Sequence, residues 1–166
     1  MRLILLIVIV AIAGLSACKK DTPFQYSFSF QIGTRQYAVD SVYGMRLDTA
    51  AFALSNNNRH SPVYMGLTAS AHSKTDNFEG LYSAPSTGNT FGTVQGGNFL
   101  VIVDSTDKNN GNYLPGSDFY LRITQDDGHT MSGTFSGGLV FSGSAYGNTG
   151  QSSNRITNGQ FSVTYK

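Results

Sequence analysis

A chain of 166 residues with a formal charge of +1, 13% charged residues, one Cys and no Trp has the length of a single domain. The lone Cys excludes an intramolecular disulfide framework and every Cys-rich metal site, and the near-zero charge excludes the basic footprint of a nucleic-acid binder. The 19 Gly, with abundant Ser, Thr and Asn, set the composition apart from that of a helical cytosolic protein.

The chain opens MRLILLIVIVAIAGLSAC. Arg2 and the terminal amine supply positive charge, and residues 3–15 form an apolar run broken only by Gly14, which is the layout of a secretory signal peptide. As a helix this run covers about 20 Å, against about 30 Å of bilayer hydrocarbon, so a spanning anchor is the weaker reading. Leu15-Ser16-Ala17-Cys18 resembles a bacterial lipoprotein box. That resemblance implies diacylglyceryl transfer to the Cys18 thiol, cleavage after Ala17 and acylation of the new amino terminus. One acyl chain binds a membrane marginally, whereas two or more anchor stably. Three domains of the sequence follow: residues 1–17 as a removed leader, 18–23 as lipidated Cys and tether, and 24–166 as the folded part. Removing the leader takes away Arg2 and no acid, leaving 10 basic and 10 acidic side chains. Between Cys18 and the first strand lie Lys19-Lys20-Asp21-Thr22-Pro23, a reach of about 17 Å when extended, so the domain is expected close to its membrane. The single acid Asp21 leaves periplasmic and surface-facing display both open.

From residue 24 the pattern is that of strands and turns. Phe24, Tyr26, Phe28 and Phe30 alternate with polar residues, the period of a half-buried strand. Gly33-Thr34 turns the chain, and residues 35–39 return as a hairpin arm. Tyr43, Met45 and Leu47 alternate next, then Phe52 and Leu54; Asp48 could cap a short helix here, but a strand is preferred. Asn56-Asn57-Asn58 reads as a loop tip. Val63, Met65, Leu67 and Ala69 alternate after Pro62, and residues 78–82 make a short strand before the turn-rich stretch 85–89. Residues 99–103 are apolar on both faces, which marks a central strand. A polar loop is expected over 104–117, followed by a hairpin in which Phe119, Leu121 and Ile123 lead to Asp127-Gly128 and Met131, Gly133 and Phe135 lead back. Residues 139–141, with Ala145-Tyr146, give another short strand, 147–154 a loop, and Phe161, Val163 and Tyr165 the last strand. The whole is an all-β, antiparallel sandwich or small barrel of roughly 8–10 strands behind a lipoprotein signal peptide. The Gly-rich pieces at 96–97, 133, 137–138, 143 and 147 lie between strands and lack the Gly-x-x-x-x-Gly-Lys pattern and following helix of a phosphate cradle; they read as turns and bulges.

Two segments carry a further resemblance. Met131-Ser132-Gly133-Thr134-Phe135-Ser136 and Ile156-Thr157-Asn158-Gly159-Gln160-Phe161-Ser162-Val163 resemble the last hairpins of small uncharacterised lipoproteins of the Bacteroidota, in which a Ser-Gly-Thr-Phe strand precedes a C-terminal Thr-Asn-Gly-x-Phe strand. The 24–39 hairpin matches their opening unit. The resemblance covers both ends well and the middle poorly; it implies an all-β domain and transfers no catalytic residue. The Cys-Lys-Lys-Asp start at Cys18 looks like the mature ends of many lipoproteins of that phylum.

Residues that could carry chemistry are few. His60, His72 and His129 fall in separate segments without His-x-x-x-His spacing, which disfavours zinc. Asp104, Asp107, Asn109 and Asn112 offer oxygen ligands, and Asp104, Asp107 and Asn109 form a weak Ca²⁺ candidate; an EF-hand alignment on Gly111 puts Thr106 first and Lys108 third, and neither fits. No Ser stands in Gly-x-Ser-x-Gly, and Glu79 is the only Glu, a poor start for a glycosidase pair. No cofactor is implied. The 11 Phe and 9 Tyr divide between core and rim packing and rings that stack on sugars. Asp40-Ser41-Val42, Asp48-Thr49-Ala50 and Asp104-Ser105-Thr106 look like the O-glycosylation sequon of Bacteroidota, which would place sugar on Ser41, Thr49 or Ser105. The expected function is an acyl-anchored cell-envelope lipoprotein acting as a non-catalytic binding module. It meets the membrane through the lipid on Cys18, on the outer membrane by preference, and an envelope protein or glycan through its fold. The alternatives are a lipocalin-like carrier of an apolar ligand and an envelope hydrolase.

Overall fold

A computed structural model describes residues 27–39, 41–56, 61–84, 89–103, 106–143 and 154–165. The alternation read from the sequence becomes eleven strands: β1 (Ser27–Ile32), β2 (Arg35–Val39), β3 (Val42–Arg46), β4 (Ala51–Asn56), β5 (Val63–Ala71), β6 (Gly80–Ala84), β7 (Gly92–Val101), β8 (Gly111–Pro115), β9 (Phe119–Asp126), β10 (Thr130–Gly143) and β11 (Asn154–Thr164). The architecture is all-β. Among the described residues there is no helix long and apolar enough to cross a membrane.

The strands form one sheet in the order β2-β1-β11-β10-β9-β6-β7-β5-β4-β3, with β8 joining β10 to β7. Hydrogen bonding thereby closes a five-strand barrel, β6–β7–β8–β10–β9, to which the remaining strands are added. The closure comes from two strands laid end to end. Along β10, Pro115 of β8 pairs with Leu139 and Tyr120 of β9 pairs with Ser136, while the Gly116 N–H donates to the Gly138 carbonyl between them at 2.8 Å. On their other edge β8 pairs with β7 and β9 with β6. The short β6 thus wedges between β9 and β7, in a parallel pairing of Tyr82 with Gly92 and Ser83 with Thr93.

A second pair of strands runs end to end at the ends of the path. β2 stops at Val39 and β3 starts at Val42, yet β2 pairs with β1 and β3 with β4. The 35–46 stretch therefore links the two sheet ends covalently, and Gly44 makes a parallel bridge to Tyr165. With β2–β3 and β8–β9 each taken as one bent strand, the order β1, β2–β3, β4, β5, β7, β8–β9, β10, β11 is an antiparallel meander returning to β1. Closure of the five-strand barrel removes free edges there, the physical hazard of an all-β chain, while β2 and β3 each pair along one side.

The interior is filled with rings. Phe28 lies 4.8 Å from Phe135, Phe30 lies 5.7 Å from Phe99, and Phe99 lies 5.8 Å from Phe119, so β1, β7, β9 and β10 meet across the middle. Phe52 against Phe78 at 4.9 Å fills one end. Such pairs add about 0.5–1.5 kcal/mol each beyond area burial.

Several strands differ from the pattern read in the sequence. Alternation over β3 is correct, but Val42 and Gly44 are the buried residues and Tyr43 and Met45 lie half-buried on the other side; Leu47 is 50% exposed. Gly44 faces inward, where a Cβ would lie in ordinary contact, 3.5 Å, with the Tyr165 and Val163 side chains. The polar stretch 104–117 contains β8, which the sequence hides because only Tyr113 is both apolar-bodied and fully buried there. β10 runs without a break through Gly137-Gly138. Gly137 has φ 141, and a Cβ there would meet the Phe119 Cα at 2.4 Å, so this glycine lets β9 lie close against β10 and does not turn the chain.

Candidate functional site

The sequence placed its oxygen ligands in the loop before β8, and there the structure builds a buried polar cluster. Asp107 is 3% exposed. Its carboxylate accepts from the Tyr37 hydroxyl at 2.9 and 3.2 Å and from the Asn109 N–H at 2.9 Å, and Arg35 Nη1 stands 3.3 Å away. Asn109 donates its amide to the Tyr37 oxygen at 2.8 Å, and its carbonyl accepts from the Tyr113 hydroxyl at 2.9 Å. Asn154 Nδ2 donates to Tyr113 in turn at 2.9 Å. Asp107 and Asn109 are thus brought together, but with the carboxylate ringed by donors and a guanidinium, the surroundings of an anion and not of a cation ligand. Asp104, the remaining Ca²⁺ candidate, lies outside the described residues. Among the described residues no group of three His, Cys, Asp or Glu side chains is placed to hold a metal.

A matching cluster stands at the end of β9. Asp126 Oδ2 accepts from the Phe78 N–H at 2.8 Å, and Oδ1 accepts from the Tyr165 hydroxyl at 3.0 Å and the Gly128 N–H at 3.2 Å. Arg46 Nη2 is 3.9 Å from this carboxylate, donates to the Asp76 carbonyl at 2.7 Å and lies over the Phe78 ring at 4.5 Å. Burial pushes the phenols of Tyr37, Tyr82, Tyr113 and Tyr165 above their ordinary value of 10.0, and a neighbouring carboxylate, Asp107 for Tyr37 and Tyr113 and Asp126 for Tyr82 and Tyr165, adds to the rise. Arg35 and Arg46 begin and end the β2–β3 stretch. Each is paired with one of these two aspartates, so both clusters fasten the strand that closes the meander.

The outer face carries a different kind of site. Along β1, Ser29 pairs with Gln160 and Gln31 with Thr157; along β10, Phe135 pairs with Gly159 and Gly137 with Ile156. On both edges β11 spends three residues where its neighbour spends two, which is a β-bulge at 157–159. Asn158 takes φ 51 there, and a Cβ on Gly159 would sit 2.3 Å from the Phe135 carbonyl, so only glycine fits. The bulge turns Thr157 and Asn158 both outward and opens a cleft of about 320 Å³, walled by Gln31, Gln36, Thr134, Asn158 and Gln160 over Phe30 and Gly159. The sequence signal was the Thr-Asn-Gly triplet, which marks a bulge as readily as a turn. Two further grooves meet at the junction of β8 and β9, one of about 390 Å³ lined by Leu114 and one of about 360 Å³ lined by Val140; these two side chains pair across strands and are 42% and 52% exposed.

The other candidates stay apart. His72 Nε2 lies 3.2 Å from Thr93 Oγ1 at the end of β5, and His129 is exposed in the β9–β10 turn, its N–H bonded to Asp127 at 2.9 Å; His60 lies outside the described residues. Glu79 accepts from the Asp126 N–H at 3.1 Å. Ser41, at φ 60, and Thr49 are exposed in turns flanking β3. Asp48 caps that second turn through the Ala50 and Ala51 N–H groups, at 2.6 and 2.7 Å, and β4 follows as a strand. Cys18 and Ser105 lie outside the described residues. Comparison with family models, with curated proteins and with solved structures gives no match.

Proposed function

We propose that the protein is an acyl-anchored lipoprotein of the bacterial cell envelope whose β-domain is a non-catalytic binding module, held by lipid on Cys18 at the outer membrane. The observation that carries the anchoring is the order of residues 1–18: positive charge, thirteen apolar or small residues at 3–15, then Leu15-Ser16-Ala17-Cys18. Three structural features support the binding role. The barrel interior is occupied by contacting rings, which fits the module better than an apolar-ligand carrier, although a carrier would share the meander topology. His72 and His129 sit on separate elements, and the buried carboxylates of Asp107 and Asp126 are engaged by tyrosine hydroxyls, backbone N–H groups and the arginines of β2–β3. The outer face presents a polar cleft at the β11 bulge. The partner is an envelope protein or a glycan. Intact-mass analysis of the protein extracted from membranes tests the anchoring: the expected chain begins at Cys18 and carries a diacylglyceryl group, and a chain that retains residues 1–17 without lipid overturns it.

A further inference from the structure

We infer that the cleft at the β11 bulge is a saccharide site that takes a neutral sugar ring through its hydroxyls; this deepens the binding-module reading and rests on it. Gln31, Gln36, Asn158, Gln160 and Thr134 line the cleft, and an amide sets a donor and an acceptor side by side at a spacing that matches a pair of neighbouring hydroxyls. None of these five walls is charged. A carboxylate or phosphate would therefore meet carbonyl oxygens with no cation in the lining to offset them, whereas a polyol donates its hydroxyls to the amide oxygens, such as that of Asn158, that internal bonds leave open.

The cleft is preorganised. Gln31 Nε2 donates to the Gly33 carbonyl at 3.0 Å, and its Oε1 accepts from Asn158 Nδ2 at 3.0 Å. That bond fixes which way the Asn158 amide lies and leaves its Oδ1 as the outward acceptor. Gln160 Nε2 is held in the same way by Ser29 Oγ at 3.3 Å. Ordering a long polar side chain on binding costs about 0.5–1.5 kcal/mol, and here the fold has ordered three of them beforehand. The backbone agrees: the extra residue of the bulge, with Asn158 at φ 51, is what brings its amide beside that of Gln31.

About 320 Å³ is at the small end of ligand pockets, about 300–1,000 Å³, and suits a single ring. On the same outer face Ser136 of β10 pairs with Tyr120 of β9, and the Tyr120 ring is 39% exposed. Two strand spacings, about 9–10 Å, separate β11 from β9, so a following sugar reaches this phenol and stacks on it. Arg122, opposite Thr134, is a charged residue beside the row.

The test uses the full chain in a sugar-free detergent micelle, with side-chain amide signals followed by ¹H–¹⁵N spectroscopy. The probes are cellotriose, maltotriose and chitotriose as neutral trisaccharides and trigalacturonate as an acidic one. The expected result is saturable shifts of the Asn158, Gln160 and Gln36 amides with at least one neutral trisaccharide, at millimolar or tighter Kd. Asn158→Gly, which keeps the left-handed backbone, should weaken that binding about tenfold with the backbone spectrum otherwise unchanged, and Tyr120→Ala should weaken the trisaccharide more than its monosaccharide. The inference is overturned if none of the three neutral sugars shifts these signals, if Asn158→Gly binds as well as the parent chain, or if trigalacturonate alone binds, which would assign the surface to Arg122. Failure of the sugars leaves the anchoring reading standing, because that is judged on the lipid at Cys18.

Discussion

Asp126 shows how much one buried carboxylate holds in this fold. Three donors converge on it, from Phe78, Gly128 and Tyr165, and they come from the approach to β6, the β9–β10 turn and the end of the chain. Substituting Asp126→Ala leaves the buried Phe78 N–H and the half-buried Tyr165 hydroxyl without this acceptor and removes the carboxylate beside Arg46. A loss of about 3–5 kcal/mol is expected from removing one member of a buried charged cluster, read as a lower urea midpoint. Tyr165→Phe, which removes a single donor, should cost only about 1 kcal/mol. Equal midpoints for Asp126→Ala and the parent chain would mean that the cluster is not structural. Neither cluster was legible in the sequence. Asp107 and Tyr37 are 70 positions apart, and no local pattern marks a carboxylate for burial, so Asp107 read as a loop residue with free oxygens. The Asp127-Gly128 turn was legible, because its chemistry is local: the Asp127 carboxylate accepts from the His129 and Thr130 N–H groups, at 2.9 and 2.6 Å.

At the scale of elements, the strands with clean alternation were the ones the sequence revealed. Phe28, Phe30 and Ile32 on one side of β1, and Phe119, Leu121 and Ile123 on one side of β9, need only a period of two to be found. Elements built on glycine or on long-range pairing were hidden. β10 was broken in two because Gly137-Gly138 looks like a turn until Phe119 is seen against it. The inward face of β3 was reversed because the residue that decides it, Gly44, packs on Tyr165 at the far end of the chain. The bulge residues 157–159 were recognised as a motif and not as a site, since the other walls of the cleft come from β1, β2 and β10. The β2–β3 stretch is the element whose attachment is most exposed to test. Arg35 and Arg46 fasten its two ends to Asp107 and Asp126, and between them it closes the meander. In the double variant Arg35→Gln, Arg46→Gln, amide hydrogen exchange should quicken in β2 and β3 while β5, β7 and β10 keep their protection. Uniform acceleration across all strands would show that the closing strand does not open separately from the rest.

For the whole molecule, the Phe and Tyr content that the composition left divided between core and ligand is largely accounted for by the filled interior. The buried phenols give it a pH dependence. An unfolded tyrosine releases its proton near pH 10, whereas Tyr37, Tyr82, Tyr113 and Tyr165 have raised values in the fold. Above pH 10 the unfolded chain therefore binds fewer protons than the native one, and stability falls by about 1.4 kcal/mol per pH unit for each such group; below pH 10 these groups contribute no slope. Phenolate absorbance should rise in two stages, the second coincident with loss of the β-sheet signal. A single reversible wave near pH 10 with the fold intact would contradict the burial of these rings.

In the proposed function the leader at 1–17 is removed and lipid on Cys18 tethers the domain to a membrane. Cell fractionation of the full chain beside its Cys18→Ser variant tests this. The parent chain is expected to sediment with membranes and resist washing with high salt, while the variant is released to the soluble fraction or retained only as an uncleaved precursor. A Cys18→Ser chain that is cleaved and still partitions with membranes as the parent does would contradict it.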